Sequence, residues 1–89
     1  MTYKFEFSKK FQKDVEKLDK QTIKQIKFSV DKFIINPFLC DWIKLKGFKN
    51  YYRIRSGDYR IIFEKIETTN NIIIKFLKIN HRREVYRDL

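Results

Sequence analysis

Three arginines, Arg53, Arg55 and Arg60, crowd the stretch 51–60, which reads Tyr-Tyr-Arg-Ile-Arg-Ser-Gly-Asp-Tyr-Arg. The stretch alternates like a β-strand, with Tyr52 and Ile54 on one face and Arg53 and Arg55 on the other. Ser56-Gly57 reads as a tight turn, because glycine takes the positive φ that a two-residue hairpin loop demands. A loop of those two residues pairs Ile54 with Tyr59 and sets Arg53 opposite Arg60. Like charges directly opposite each other in a hairpin repel. Three arginines sharing a face therefore point to an anionic ligand. Phosphate fits, since the guanidinium fork matches it in charge and geometry. The alternative is a solvated edge hairpin in a basic protein.

A second group of reactive side chains closes the chain: Asn80-His81-Arg82-Arg83-Glu84-Val85-Tyr86-Arg87. His81 and Arg82 fall just past a near-continuously apolar run, residues 72–79, that reads as a central strand. At that strand end they can face the arginine cluster. His81 is the lone histidine and the one ordinary acid–base group available near neutral pH. A capping or surface role is the alternative for His81, and packing for Tyr86. Cys40 is the lone cysteine, which excludes an intrachain disulfide and a Cys-based metal site. It reads as a small buried filler rather than a nucleophile. With one histidine as well, a structural zinc site is not expected.

The elements that must position these groups follow from periodicity. Tyr3, Phe5 and Phe7 alternate with Lys4 and Glu6, a short first strand with one apolar face. Ser8 suits the N-cap of a helix running to about Leu18, with Phe11, Val15 and Leu18 on its apolar stripe. Asp19 can cap a second helix, whose stripe is Ile23, Ile26, Val30, Phe33 and Ile34. Asn36-Pro37 ends it, because the residue before proline is pushed out of the α region. The helical lysines, Lys9 to Lys27, read as a solvated outer face. Trp42, Ile43 and Leu45 read as anchors of a loop or edge strand, with Trp42 packing rather than stacking on a base. Residues 59–66 form a strand, and 68–71 a polar turn. The expected architecture is α+β: an N-terminal strand, an αα-hairpin, then a three-strand antiparallel meander with the helices on one face of the sheet.

Eighty-nine residues make one domain, 1–89, and 43% hydrophobic content with 17% aromatic residues suffices for a core. Twenty-one basic against 11 acidic residues give a formal net charge of +10. A small domain this basic favours polyanionic partners, among them nucleic acid and acidic proteins. No run is long enough to span a bilayer and no signal-peptide pattern stands at the N-terminus, so a reduced cytoplasmic setting without a membrane partner is expected.

Taken together, Leu45-Lys46-Gly47, the run from Tyr52 to Arg60 and the run from His81 to Arg87 closely resemble the RelE/ParE toxin superfamily, on the RelE side. The element order matches over essentially the whole chain, and the specific residues over about its second half. The resemblance implies a RelE-like fold and a toxin of a type II toxin–antitoxin pair. It implies an endoribonuclease that enters the ribosomal A site, against 16S rRNA, and cuts mRNA there without metal or other cofactor. The ribose 2′-hydroxyl attacks the adjacent phosphate, leaving a 2′,3′-cyclic phosphate and a 5′-hydroxyl. An acidic, RelB-like antitoxin is the implied protein partner. ParE-like relatives share the fold but poison DNA gyrase, which makes a gyrase inhibitor the alternative. On the RNase reading Arg53, Arg55, Arg60 and Arg82 supply charge for the phosphorane, and Tyr86 stacks on a base or supports the site. RNA contacts are expected from Lys44, Lys46, Arg83 and Arg87. The best-known RelE carries lysines at the positions of Arg53 and Arg55, one of them its proposed general base. Arginine stays protonated, so His81 takes the proton-transfer role by elimination, with Tyr86 as runner-up.

Overall fold

The structure, a computed structural model, describes residues 2–39 and 42–83. Cys40, Tyr86 and Arg87, and the readings made for them above, lie outside the described residues. The chain runs β1 (Thr2–Phe7), α1 (Lys9–Glu16), α2 (Lys20–Ile35), a 3-10 turn at Pro37–Leu39, β2 (Ile43–Lys44), β3 (Tyr51–Ser56), β4 (Tyr59–Glu67) and β5 (Asn71–His81).

Both helices start where polar caps stand. The Ser8 hydroxyl accepts the Phe11 amide at 3.0 Å, and the Asp19 carboxylate accepts that of Thr22 at 2.8 Å. Hydrogen bonds from Thr22, side chain first and backbone second, hold the Asp19 carboxyl below the usual aspartate range. Helix α1 ends at Glu16, two residues before the expected Leu18, because Lys17 and Leu18 turn back on the Asp14 and Val15 carbonyls to bring Asp19 into position. Helix α2 stops at Asn36, whose extended backbone satisfies Pro37. The lysines from Lys9 to Lys27 are all exposed.

The sheet has five strands in the order β1-β5-β4-β3-β2. The meander β3-β4-β5 is antiparallel as expected, and β5 is flanked on both sides. Two features were not legible locally. Strand β1 pairs with β5 in parallel, Thr2 opposite Asn71 through Phe7 opposite Phe76. A two-residue edge strand, β2, pairs Ile43 with Arg53 and Lys44 with Tyr52.

The helices cover one face of the sheet. Phe11, Ile26, Val30 and Phe33 pack there on Ile54, Ile61, Phe63, Ile74, Phe76 and Ile79. Phe33, fully buried, is the centre of an aromatic cluster that touches Phe5, Trp42, Phe63 and Phe76. Trp42 packs in this cluster, and its indole N–H donates to the Pro37 carbonyl at 2.7 Å. The opposite face carries no helix among the described residues. Strand alternation gives it two cross-sheet rows: Arg53, Ile62 and Lys78, then Arg55, Arg60 and Asn80.

Candidate active site

The β3–β4 hairpin turns at Gly57-Asp58, not at Ser56-Gly57. Gly57 takes φ +59° at the first position of the two-residue loop, where a type II′ turn calls for glycine. Ser56 is held in the strand from the helix side. Its hydroxyl lies 2.6 Å from that of Ser29, and the Gln25 side-chain amide donates to the Ser56 carbonyl at 2.8 Å. The expected register is therefore corrected: Arg55, not Arg53, lies opposite Arg60, and Ile54 pairs with Ile61. Arg53 stays on the same face, opposite Ile62.

The tip of this hairpin and the end of β5 enclose a cavity of about 250 Å³, lined by Arg55, Gly57, Asp58, Tyr59, Arg60 and Arg82. Two contacts join its walls. The Arg60 guanidinium donates to the Arg82 carbonyl at 2.9 Å, and the Arg82 amide donates to the Asp58 carbonyl at 2.7 Å. The Arg82 guanidinium also meets the Asp58 carboxylate at 3.6 Å, with both side chains about 60% exposed. An ion pair so exposed contributes little to stability. It is a contact that an incoming anion can replace.

Three of the four expected arginines are thus brought to one cavity, and Arg53 lies beside them on the same face. His81 is placed differently from the sequence expectation. It pairs with Tyr59, on the side of the sheet that packs against the helices, whereas Arg60 and Asn80 point to the other side. Its ring stands edge-on to that of Tyr59, with centroids 5.1 Å apart. The reason is strand parity: Arg60 and Tyr59 are neighbours in β4, so their partners face opposite ways. The Arg83 amide donates to His81 Nδ1 at 3.2 Å, which in the neutral ring puts the proton on Nε2. Lys44 pairs with Tyr52, on the other side of the sheet from Arg53, and Lys46 follows in the adjoining turn. Both are exposed, as is Arg83, and none of the three lines the cavity.

Asp58 was missed as a site residue because it reads as turn chemistry. Its position between Arg55 and Arg60 was the available signal. A second cavity of about 250 Å³, lined mainly by Phe7, Phe11, Val15, Ile23, Ile26 and Val30, is apolar and holds no comparable set of reactive groups. Among the described residues no three His, Cys, Asp or Glu side chains gather to hold a metal, and no helix is long and apolar enough to cross a membrane.

The profile of the ParE toxin of the type II toxin–antitoxin system parDE matches residues 5–86. Toxin RelE3 of Methanocaldococcus jannaschii is 37% identical over 84 residues, covering 90% of this chain and 91% of that protein. The toxin-like chain of a RelB–RelE antitoxin–toxin complex from Methanococcus jannaschii superposes with a TM-score of 0.67 at 33% identity, over 94% of this chain and 98% of that one. A RelE–RelB complex from Pyrococcus horikoshii gives 0.70 at 30% identity, over 96% and 100%. With two helices on a mixed five-stranded sheet and these similarities along nearly its full length, the chain belongs to the RelE/ParE superfamily, the toxins of type II toxin–antitoxin systems.

Proposed function

We propose that this toxin is a ribosome-dependent endoribonuclease that cleaves mRNA in the A site. The observation that carries the reading is the cavity lined by Arg55, Arg60 and Arg82 at the hairpin tip. Attack by a ribose 2′-oxygen on the adjacent phosphorus forms one P–O bond and breaks the bond to the 5′-oxygen. Negative charge accumulates on the phosphorane, and preorganised guanidinium donors stabilise it more than the ground state. Arg53 and Lys78 extend the positive field along the same sheet face, a track for the flanking phosphates. Lys44, Lys46 and Arg83, exposed and outside the cavity, add RNA contacts; from beyond the described residues Arg87 adds a further contact, and Tyr86 stacks on a base or supports the site. No cofactor enters this reading.

Two proton transfers remain: one from the 2′-hydroxyl and one to the leaving 5′-oxygen. His81 is the proposed proton-transfer group. It stands on the helix side of the sheet with Nδ1 accepting the Arg83 amide, so serving the 2′-oxygen or the leaving oxygen requires its ring to turn from that contact toward the cavity. Asp58 borders the cavity and is the second group able to take a proton. A ribosomal substrate places this action in the cytoplasm. The partner of the resting state is an acidic, RelB-like antitoxin, since related toxins crystallise with RelB.

A ParE-like gyrase inhibitor is the second reading, favoured by the profile that the chain matches. A pure gyrase binder has no need of converging guanidinium groups. Inducing the chain alone separates the two. The RNase reading expects translation to stop, with transcripts cut inside translated regions. DNA breaks and an SOS response with intact mRNA would establish the gyrase reading instead.

A further inference from the structure

Strand β5 has a strand on both sides only as far as Phe76, where β1 ends with Phe7. Beyond that point no strand among the described residues flanks that edge of β5. The same point carries an irregularity in the other ladder: Phe63 pairs with Phe76 but Ile62 with Lys78, so Leu77 is an extra residue, a bulge. An open edge beside a bulge leaves backbone groups in need of partners. The N-cap residue of α1 and a residue of its last turn supply them. The Ser8 amide donates to the Phe76 carbonyl at 3.0 Å, and its hydroxyl to the Leu77 carbonyl at 2.8 Å. Asp14 Oδ2 accepts the Ile79 amide at 2.9 Å, and Oδ1 takes the Lys10 ammonium. Asp14 is 8% exposed, an unusual burial for a carboxylate on a short, lysine-rich helix.

The bulge decides what reaches the cavity. A one-residue slip turns every later side chain to the other face. With Leu77 extra, Ile79 lies in the core opposite Ile61, Asn80 lies opposite Arg60, and the Arg82 amide meets Asp58. Continued pairing without the bulge would set Ile79 opposite Arg60 and Asn80 opposite Tyr59, which would expose the isoleucine and carry Arg82 out of register.

We infer that Asp14, assisted by Ser8, is a positioning residue for the arginine cavity: it takes the place of the missing strand beside β5, holds the Leu77 bulge, and so aims Asn80 and Arg82 at Arg60. This rests on the reading of the cavity as the working site. Asp14 touches no substrate, and its effect runs through the backbone of β5.

Amide hydrogen exchange, read residue by residue, tests the clamp without relying on cleavage. In Asp14→Ala the protection of the Ile79 and Arg82 amides should fall by about tenfold or more, while Ile74, beside β1, keeps its own. Asp14→Asn retains an oxygen acceptor and should restore Arg82 protection. Single-turnover RNA cleavage should follow the same order, with Asp14→Ala slowed and Asp14→Asn near wild type. Unchanged Arg82 protection in Asp14→Ala overturns the inference. So does Asp14→Asn behaving like Asp14→Ala, or full cleavage by an Asp14→Ala chain whose Arg82 amide has lost protection. Should Asp14→Ala fail to fold, the wild type decides: Ile79 and Arg82 must open with the same free energy at low urea, and unequal values overturn the clamp. A wild type that cleaves no RNA would remove the functional reading and leave the exchange result standing.

Discussion

Arg60 is the residue on which the site closes. Its strand neighbours in register are Arg55 on one side and Asn80 on the other, and its guanidinium holds the Arg82 carbonyl. The Arg55–Arg60 pairing repels when the cavity is empty and becomes favourable once a phosphate lies between them. Arg60→Ala and Arg82→Ala should each cost about 10²–10³ in cleavage rate, the usual loss for a donor aimed at transition-state charge. Circular dichroism should show both folded, because neither side chain fills the core. Arg60→Lys should not rescue, since an ammonium cannot serve the carbonyl and the phosphate with one planar fork. Substitution separates the two candidates for the proton-transfer role, His81 and Asp58. His81→Gln should slow single-turnover cleavage by roughly 10²–10⁴. Asp58→Asn, which removes the counter-ion of Arg82, should tighten RNA binding and leave the rate near wild type. A loss of that size in Asp58→Asn and not in His81→Gln would assign the proton to Asp58. At this scale the arginine set was legible from types and alternation. The partner of Arg60 was not, because Ser56 reads as a turn residue until Ser29 and Gln25 are seen to hold it in the strand. His81 was misplaced for a related reason: which way a strand-end residue faces depends on register, and the Leu77 bulge that shifts the register leaves no local signature.

Among the elements, α2 and the hairpin form a unit. Gln25 reaches over the turn so closely that a Cβ on Gly57 would lie 2.3 Å from its Nε2. Gly47, also at positive φ (+85°), has nothing within 4 Å. Gly47→Ala should therefore cost only the backbone term, about 1–2 kcal/mol. Gly57→Ala must in addition push Gln25 off the Ser56 carbonyl, a further loss of about 1 kcal/mol. Urea denaturation should rank the two in that order, and in a Gln25→Ala background Gly57→Ala should add no more than Gly47→Ala. Equal costs in the native background would show that Gln25 does not hold the tip. Helices and major strands were readable because each carries its own period: Phe11 and Val15 on α1, Ile26, Val30 and Phe33 on α2, alternation in β3. The parallel docking of β1 on β5 was not, since pairing across some seventy positions is set by the shared core and not by either segment alone.

On the scale of the molecule, charge and layering divide the labour. Helices seal one face of the sheet, and the other presents the rows of Arg53 with Lys78 and of Arg55 with Arg60. Net charge of +10 was legible at once and favours polyanionic partners. An acidic antitoxin that silences this toxin should cover the arginine face. Hydrogen exchange on such a complex should show new protection near residues 55–60 and 79–82. A bound complex that leaves both regions unchanged would contradict this mode of inhibition. The most direct test of the whole account is the chemistry of the cut. The purified chain, added to ribosomes programmed with a defined mRNA, should cleave in the A site and leave a 2′,3′-cyclic phosphate on one fragment and a 5′-hydroxyl on the other, with Arg82→Ala largely inactive. Intact mRNA under those conditions, together with DNA breaks when the same chain is added to gyrase, would contradict it.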